Sequence, residues 1–152
     1  MTWGSAPWRI AAAFASITAD MSEEGVFFAY SGAMEQLPFG DVLPTLQRVS
    51  RSNFFGGGTD TTGAVLTAYQ RHRDAQRIVL VTDEQAFGAS STVRSGLESI
   101  PIPIYTWNVG GYAPAWQVSG ANRYSVGGLS DAGFTLIEAL EGGADAGWPW
   151  QE

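Results

Sequence analysis

The stretch Arg77-Ile-Val-Leu-Val-Thr-Asp83 decides how this chain folds. Its central residues are apolar without alternation, which is typical of a parallel strand that is buried on both faces. Asp83 and Glu84 come directly after this strand. In open α/β sheets, ligands bind just beyond the carboxyl ends of the parallel strands. We therefore expect Asp83 to lie at the ligand-binding edge of a parallel sheet.

Strand and helix patterns alternate on both sides of this stretch. A short strand is expected at 35–39, where Pro38 is tolerated only at a sheet edge. The alternation predicts one domain over residues 1–152, with an α/β fold in three layers and helices on both faces of a mostly parallel sheet. The other strands are predicted at 25–30, 103–109 and 124–126, and the helices at about 7–21, 41–50, 61–72, 90–99 and 131–140.

The first helix is expected to bury one apolar stripe. Ile10, Phe14, Ile17 and Met21 recur at helical spacing, with small alanines between them. We therefore expect these four side chains to form the inner face of the helix.

Composition excludes several classes of function. The net charge is −7 and all eight basic residues are arginine, so the chain alone should bind nucleic acid poorly. The arginine usage is typical of a GC-rich genome. The absence of cysteine excludes disulfides and thiolate metal sites and fits a reducing, cytoplasmic location. No stretch is apolar enough to span a membrane. No nucleophile, base and acid occur at a catalytic spacing, so we expect that the protein is not an enzyme.

A glycine-rich turn, Gly56-Gly-Gly-Thr-Asp-Thr61, precedes a predicted helix. It lacks the lysine of a phosphate-binding loop. Thr59 or Asp60 is expected to cap the helix, because both side chains can accept hydrogen bonds from its first N–H groups.

Four segments carry a family resemblance: Phe27-Phe-Ala-Tyr-Ser-Gly-Ala-Met34, Phe55-Gly-Gly-Gly-Thr-Asp-Thr61, Val81-Thr-Asp-Glu84 and Ile102-Pro-Ile-Tyr-Thr-Trp-Asn-Val109. They resemble the von Willebrand factor A domain, and more closely the version at the carboxyl end of the TROVE/Ro ribonucleoprotein family. The segments occur in the same order and spacing as in the family, and the resemblance covers nearly the whole chain. The resemblance implies a Rossmann-like von Willebrand A-type fold.

The resemblance also implies a metal-ion-dependent adhesion site, in which Thr59 and Asp83 take two of three ligand roles. Hydroxyl and carboxylate oxygens suit Mg²⁺ or another divalent cation. Asp60 and Glu84 would support the ligands through hydrogen bonds, or lie in solvent. The candidates to replace the family's serine ligands are Ser5 and Ser31, and the aromatic residues placed to contact a partner at the same edge are Tyr112 and Trp116.

The third ligand role belongs to an Asp-x-Ser-x-Ser motif after the family's first strand, which lies in the middle of the sheet. Met1-Thr-Trp-Gly-Ser5 resembles the segment directly after that motif, so the first central strand is expected to be missing. Three explanations stay open: a start codon further upstream, a second chain that supplies the strand, or direct pairing of the strands at 25–30 and 77–82. Buried backbone groups need partners, which favours the first two.

The function that the resemblance implies is a non-catalytic divalent-metal-site module of a small-RNA-binding ribonucleoprotein. In the family, a helical-repeat region binds the RNA, and that region is missing here. The alternatives are a protein-binding module that docks an acidic ligand residue through bound Mg²⁺, and a metal-free structural fragment. A strand-complementing chain or a homodimer is expected if the sheet is incomplete, because exposed edges invite pairing.

Overall fold

The computed structural model of the protein describes residues 7–31, 34–51, 60–82, 97–109, 121–128 and 132–142. Helices and strands both occur in this part of the chain, as the sequence predicts, although two helices and then three strands follow one another directly among the described residues. The helices are α1 (Pro7–Asp20), α2 (Val42–Arg51), α3 (Thr61–Arg71) and α4 (Ala132–Glu141), and the strands are β1 (Phe27–Tyr30), β2 (Met34–Leu37), β3 (Ile78–Thr82), β4 (Ile104–Asn108) and β5 (Arg123–Gly127).

Three of the strands form a parallel sheet in the order β3-β4-β5. Ile78 aligns with Ile104 and Thr82 with Asn108, so β3 and β4 end together. All five residues of β4 are buried, because helices cover both faces of the sheet. The prediction of an α/β fold with a parallel sheet is confirmed.

The two remaining strands form a separate antiparallel pair, β1-β2. Glu35 and Gln36 point to opposite faces of β2 and both are exposed. A strand with exposed residues on both faces and one strand neighbour is an edge strand, as predicted from Pro38 on the same segment.

The layers follow from the alternation of side chains along β3 and β4. Leu80 and Ile104 pack with Val65 of α3 on one face of the sheet. On the other face, Trp107 lies 5.4 Å from Phe14 of α1, measured between ring centroids. Val79 and Val81 belong to this second cluster. The sheet therefore lies between α3 on one face and α1 with α4 on the other.

No pairing joins β1 to β3 among the described residues. Of the three explanations for a missing central strand, the one in which these two strands pair directly is therefore wrong. β1 and β3 belong to separate sheets, and the other two explanations stay predictions.

The predicted inner face of α1 is wrong in part. Ile17 and Met21 are 45% and 69% exposed, whereas Ala12, Ser16 and Ala19 are buried. The buried stripe consists of small residues, which allow the neighbouring chain to come close. A Cβ atom at Gly25 would lie 2.2 Å from the Ala19 carbonyl oxygen, so the chain turns back tightly against the end of α1.

Arg123 fixes the segment before β4 to the start of β5. Its guanidinium donates to the carbonyl oxygens of Leu97, Ile100 and Ile102 at 2.6 to 3.0 Å. Burial lowers the pKa of this side chain. The described residues include no helix that is both long and apolar enough to cross a membrane.

Candidate metal site

Most of the predicted site falls outside the described residues. This holds for the two predicted ligands, Thr59 and Asp83, for Glu84 and Ser5, and for the predicted partner contacts Tyr112 and Trp116. Their roles therefore stay predictions. Asp60 and Ser31 are described, and so is one chain neighbour of each ligand, Asp60 after Thr59 and Thr82 before Asp83.

Asp60 caps helix α3. Its carboxylate Oδ1 accepts a hydrogen bond from the Gly63 N–H at 2.9 Å, which satisfies one of the unpaired donors of the first turn. A Cβ atom at Gly63 would meet Asp60 Oδ2 at 2.2 Å, so the cap depends on glycine there. The prediction that Thr59 or Asp60 caps the helix is confirmed for Asp60.

The backbone N–H of Asp60 donates to the carbonyl oxygen of Ser31 at 3.1 Å. This bond joins the start of α3 to the carboxyl end of β1. At the other end of the helix, the His72 ring lies 5.7 Å from the ring of Phe28, near the start of β1. The two contacts show that β1 runs antiparallel to α3.

Strand β3 also runs antiparallel to α3. Few residues separate Arg71, the end of the helix, from Ile78, the start of β3. Val65 of α3 packs with Leu80 of β3. The start of α3 is therefore level with the carboxyl end of β3, and Ser31, Asp60 and Thr82 lie at the same rim of the fold.

The side of the sheet that faces α3 changes from apolar to polar toward this rim. Leu80 packs under α3, and Thr82 points to the same face because it is two residues further along the strand. Thr106 and Asn108 share that face through their register with Leu80 and Thr82. All three polar residues are buried. Buried polar groups at the end of an apolar core indicate a layer made for polar contacts.

Thr61 completes this polar layer from the helix side. It lies one turn before Val65, which places it on the stripe of α3 that faces the sheet. The residue is 1% exposed, and its hydroxyl has no hydrogen-bond partner within the part of the chain that the structure describes. A buried hydroxyl without a partner lowers the stability of the fold by about 1 to 3 kcal/mol, so we expect an acceptor or a cation to contact this atom.

The oxygen atoms at this rim are of the types that bind hard divalent cations, because they come from hydroxyl, carbonyl, carboxylate and amide groups. They do not form a site without further ligands. Among the described residues, no group of three or more His, Asp or Glu side chains could hold a metal ion.

Sequence reasoning missed Thr61, Thr82 and Asn108 as residues of the rim. The patterns predict Thr82 and Asn108 only as strand residues, and Thr61 only as the first residue of a helix. The available signal was spacing: each lies two or four residues from an apolar core residue and therefore on the same face as that residue.

A second polar cluster lies at the opposite end of the sheet. The Tyr105 hydroxyl donates to Glu141 Oε1 at 3.1 Å, and Arg77 Nη2 donates to Glu141 Oε2 at 2.5 Å. Burial and the bond to Glu141 raise the pKa of the Tyr105 hydroxyl well above its usual range. The three side chains hold the end of α4 against the sheet.

No protein-family model matches this chain, and no curated protein matches it. The arguments for its function therefore come from its residues and their geometry.

Proposed function

We propose that this chain is a non-catalytic von Willebrand A-type module whose functional site binds Mg²⁺ or a similar divalent cation. Thr59 and Asp83 would supply a hydroxyl and a carboxylate, and waters and groups from a partner would complete the coordination, as Mg²⁺ commonly requires. The open position would accept a carboxylate or phosphate oxygen.

One observation carries the proposal. The described neighbours of the two ligands, Asp60 and Thr82, lie at the same rim of the fold, since α3 runs antiparallel to β3. Thr59 and Asp83 are each the adjacent residue along the chain. The buried polar layer beneath this rim, with the Thr61 hydroxyl that has no partner among the described residues, supports the same conclusion.

We propose an accessory role in a cytoplasmic small-RNA ribonucleoprotein, in which another region or chain binds the RNA. The net charge of −7 argues against RNA binding by these residues alone. The alternative is a module that docks an acidic residue of a protein through Mg²⁺ at the same site. The net negative charge of the chain disfavours docking of an acidic ligand without a cation, so the cation would provide the attraction for the carboxylate as it would for a phosphate.

The test is thermal unfolding during titration with Mg²⁺ or Mn²⁺ in the millimolar range. We expect the melting temperature of the wild-type protein to rise, since a ligand that binds only the folded state stabilises it. Asp83→Ala should abolish the rise. Asp74→Ala is the matched control, because Asp74 is an exposed carboxylate near the other end of α3, and it should leave the rise unchanged. No shift with either metal, together with a neutral Asp83→Ala, would refute the metal site.

A second titration separates the two partner classes. A synthetic acidic peptide and a small structured RNA are each added with Mg²⁺ and with a chelator, and binding is followed by fluorescence anisotropy. Peptide binding that needs Mg²⁺ favours the protein-docking module. Binding of neither probe by the isolated chain is what the accessory role predicts.

A further inference from the structure

One apolar stripe of α1 begins in the core and continues into solvent. Phe14 packs against Trp107 and against Phe134 of α4, with ring centroids 5.4 Å apart in each pair. Ile17 and Met21 continue the stripe one and two turns further along the helix. They are 45% and 69% exposed. We call these two residues the α1 patch, and among the described residues no segment covers it.

Helix α4 runs antiparallel to β4 on the face of the sheet that α1 covers. In the first turn of α4, a Cβ atom at Gly133 would collide with the Trp107 ring. At the last residue, Glu141 accepts a hydrogen bond from the Tyr105 hydroxyl. Trp107 follows Tyr105 along β4, so the helix passes from the carboxyl end of the strand to its amino end.

Helix α1 runs toward the same end of the sheet as α4. The chain turns tightly from the end of α1 toward the start of β1, and β1 and β3 both run antiparallel to α3. Met21 follows Phe14 by two turns. Gly142 follows Phe134, the residue that contacts Phe14, by little more than two turns. The ends of α1 and α4 are therefore level, at the rim opposite the candidate metal site.

The segment that follows α4 carries large apolar side chains and starts at this rim. It comprises residues 143–152, which lie outside the described residues, and has the sequence Gly-Ala-Asp-Ala-Gly-Trp-Pro-Trp-Gln-Glu. Packed helices lie about 8 to 10 Å apart. The residues from Gly143 to Trp148 can span up to about 20 Å when extended. Trp148 and Trp150 are therefore within reach of the α1 patch.

The chemistry of this segment matches the α1 patch. A tryptophan side chain can bury about 150 to 250 Å² of surface, and a methionine thioether makes favourable contacts with aromatic rings. Pro149 restricts the backbone between the two tryptophans, so less conformational freedom is lost when they bind. A tethered segment also has an effective concentration on the order of millimolar, which favours it over a second copy or another protein.

We propose that Trp148 and Trp150 bind the α1 patch, so that the segment after α4 covers Ile17 and Met21. Because α1 and α4 both end at this rim, the bound segment would join the two helices there. The proposal uses no residue of the candidate metal site and is independent of the proposed function.

Methionine oxidation by hydrogen peroxide, followed by mass spectrometry, measures the exposure of the α1 patch. The parent is compared with a variant that combines Trp148→Ala and Trp150→Ala. We expect Met21 to be oxidised about tenfold more slowly in the parent, which corresponds to a segment that is bound about nine-tenths of the time. Met34 in β2 is the internal reference and should react equally in both proteins. Gln151→Ala is the matched control and should behave like the parent.

An engineered disulfide reports where the segment binds. The chain has no cysteine, so Asp20→Cys with Gln151→Cys introduces one pair of thiols and keeps the α1 patch and both tryptophans. We expect this pair to form an intramolecular disulfide at least about tenfold faster than the control pair, Leu43→Cys with Gln151→Cys. Leu43 is 73% exposed on α2. Helix α2 contacts α1 through Ser16, on the side of α1 opposite Phe14.

Four outcomes would overturn the proposal. One is equal oxidation of Met21 in the parent and in the double alanine variant. Another is equal acceleration of Met34 in that variant, which would show that the tryptophans stabilise the whole fold and not the patch. A third is a disulfide that forms no faster than in the control pair. The fourth is a dimeric parent, by light scattering, in which the protection of Met21 is lost on dilution, because a second copy would then cover the patch.

Discussion

At the scale of single residues, Thr61 is the clearest link between the fold and the candidate site. The sequence predicts it only as the first residue of a helix after a glycine-rich turn. The structure turns its side chain toward the sheet and buries it without a described partner. If no group outside the described residues contacts this hydroxyl, its burial costs about 1 to 3 kcal/mol.

Thr61→Val tests this cost directly. In metal-free buffer we expect the free energy of unfolding to rise by about 1 kcal/mol, because the isosteric methyl group needs no hydrogen-bond partner. Urea denaturation measures the difference. A fall in stability would show that the hydroxyl is already satisfied.

Thr45→Val provides the matched control. Thr45 is also 1% exposed, but its hydroxyl donates to the Asp41 carbonyl at 3.0 Å. Loss of that bond should lower the free energy of unfolding by about 1 kcal/mol, opposite in sign to the change at Thr61.

At the scale of elements, α1 shows how packing can override an apolar pattern. The stripe that includes Ile17 and Met21 is more hydrophobic than the stripe that the structure buries. Ser16 is nevertheless buried, and its hydroxyl donates to the Gly40 carbonyl at 3.3 Å. Small residues let α1 approach α2 and the turn at Gly25, and close approach outweighs the burial of larger side chains at the end of the helix.

Helix α3 depends on the cap formed by Asp60 and Gly63. We expect Asp60→Ala to lower the free energy of unfolding by about 1 kcal/mol, because the Gly63 N–H loses its acceptor. Asp60→Asn should retain most of the stability, since the amide oxygen can accept the same bond. Chemical denaturation of the three proteins measures both effects. If Asn is as harmful as Ala, the carboxylate charge and not the cap is what matters.

In the whole molecule, the polar side chains at the two ends of the sheet differ in whether they are paired with one another. The rim with Thr61 and Thr82 holds buried hydroxyls, whereas the opposite end holds the Arg77–Glu141–Tyr105 cluster, which ties the last helix to the sheet. At the rim, the Thr61 hydroxyl has no partner among the described residues, which fits the proposed site. The cluster at the opposite end has its groups paired with one another and serves the fold.

Alkaline unfolding tests the second cluster. Burial, and then the bond to Glu141, raise the pKa of Tyr105 above its value in the unfolded chain. The stability that comes from this neutral hydroxyl is complete below the unfolded pKa of about 10 and is lost as the pH rises through the folded pKa. We therefore expect the free energy of unfolding to fall as the pH rises above about 10.

Tyr105→Phe should remove this part of the pH dependence and lower stability near neutral pH by about 1 kcal/mol, the value of one hydrogen bond. Tyr69→Phe serves as the matched control and should keep the alkaline loss. The measurement is denaturant unfolding across the alkaline range. An unchanged alkaline profile in Tyr105→Phe would contradict the prediction.

The expectations about partners have physical reasons in the strand edges and in the net charge. A strand-complementing chain or a homodimer stays a prediction, and so does association with an RNA-binding region. The first follows from strand edges that have no partner among the described residues, and the second from the net negative charge of the chain.

The class of fold could be predicted from the sequence alone. An apolar run without alternation identifies β3, and β3, β4 and β5 lie within one or two residues of their predicted positions. Turn residues and the choice of Asp60 or Thr59 as a cap were also available from local chemistry. These features depend on neighbours a few positions away, which the sequence records directly.

Tertiary contacts determine which residues share a rim, which face of α1 is buried, and how the strands are divided between two sheets. Each depends on contacts between distant segments: Asp60 with Ser31, Val65 with Leu80, and Gly25 with Ala19. Periodicity fixes which residues of an element share a face. It does not fix which other element covers that face, because that choice is made by shape and close packing across the whole molecule.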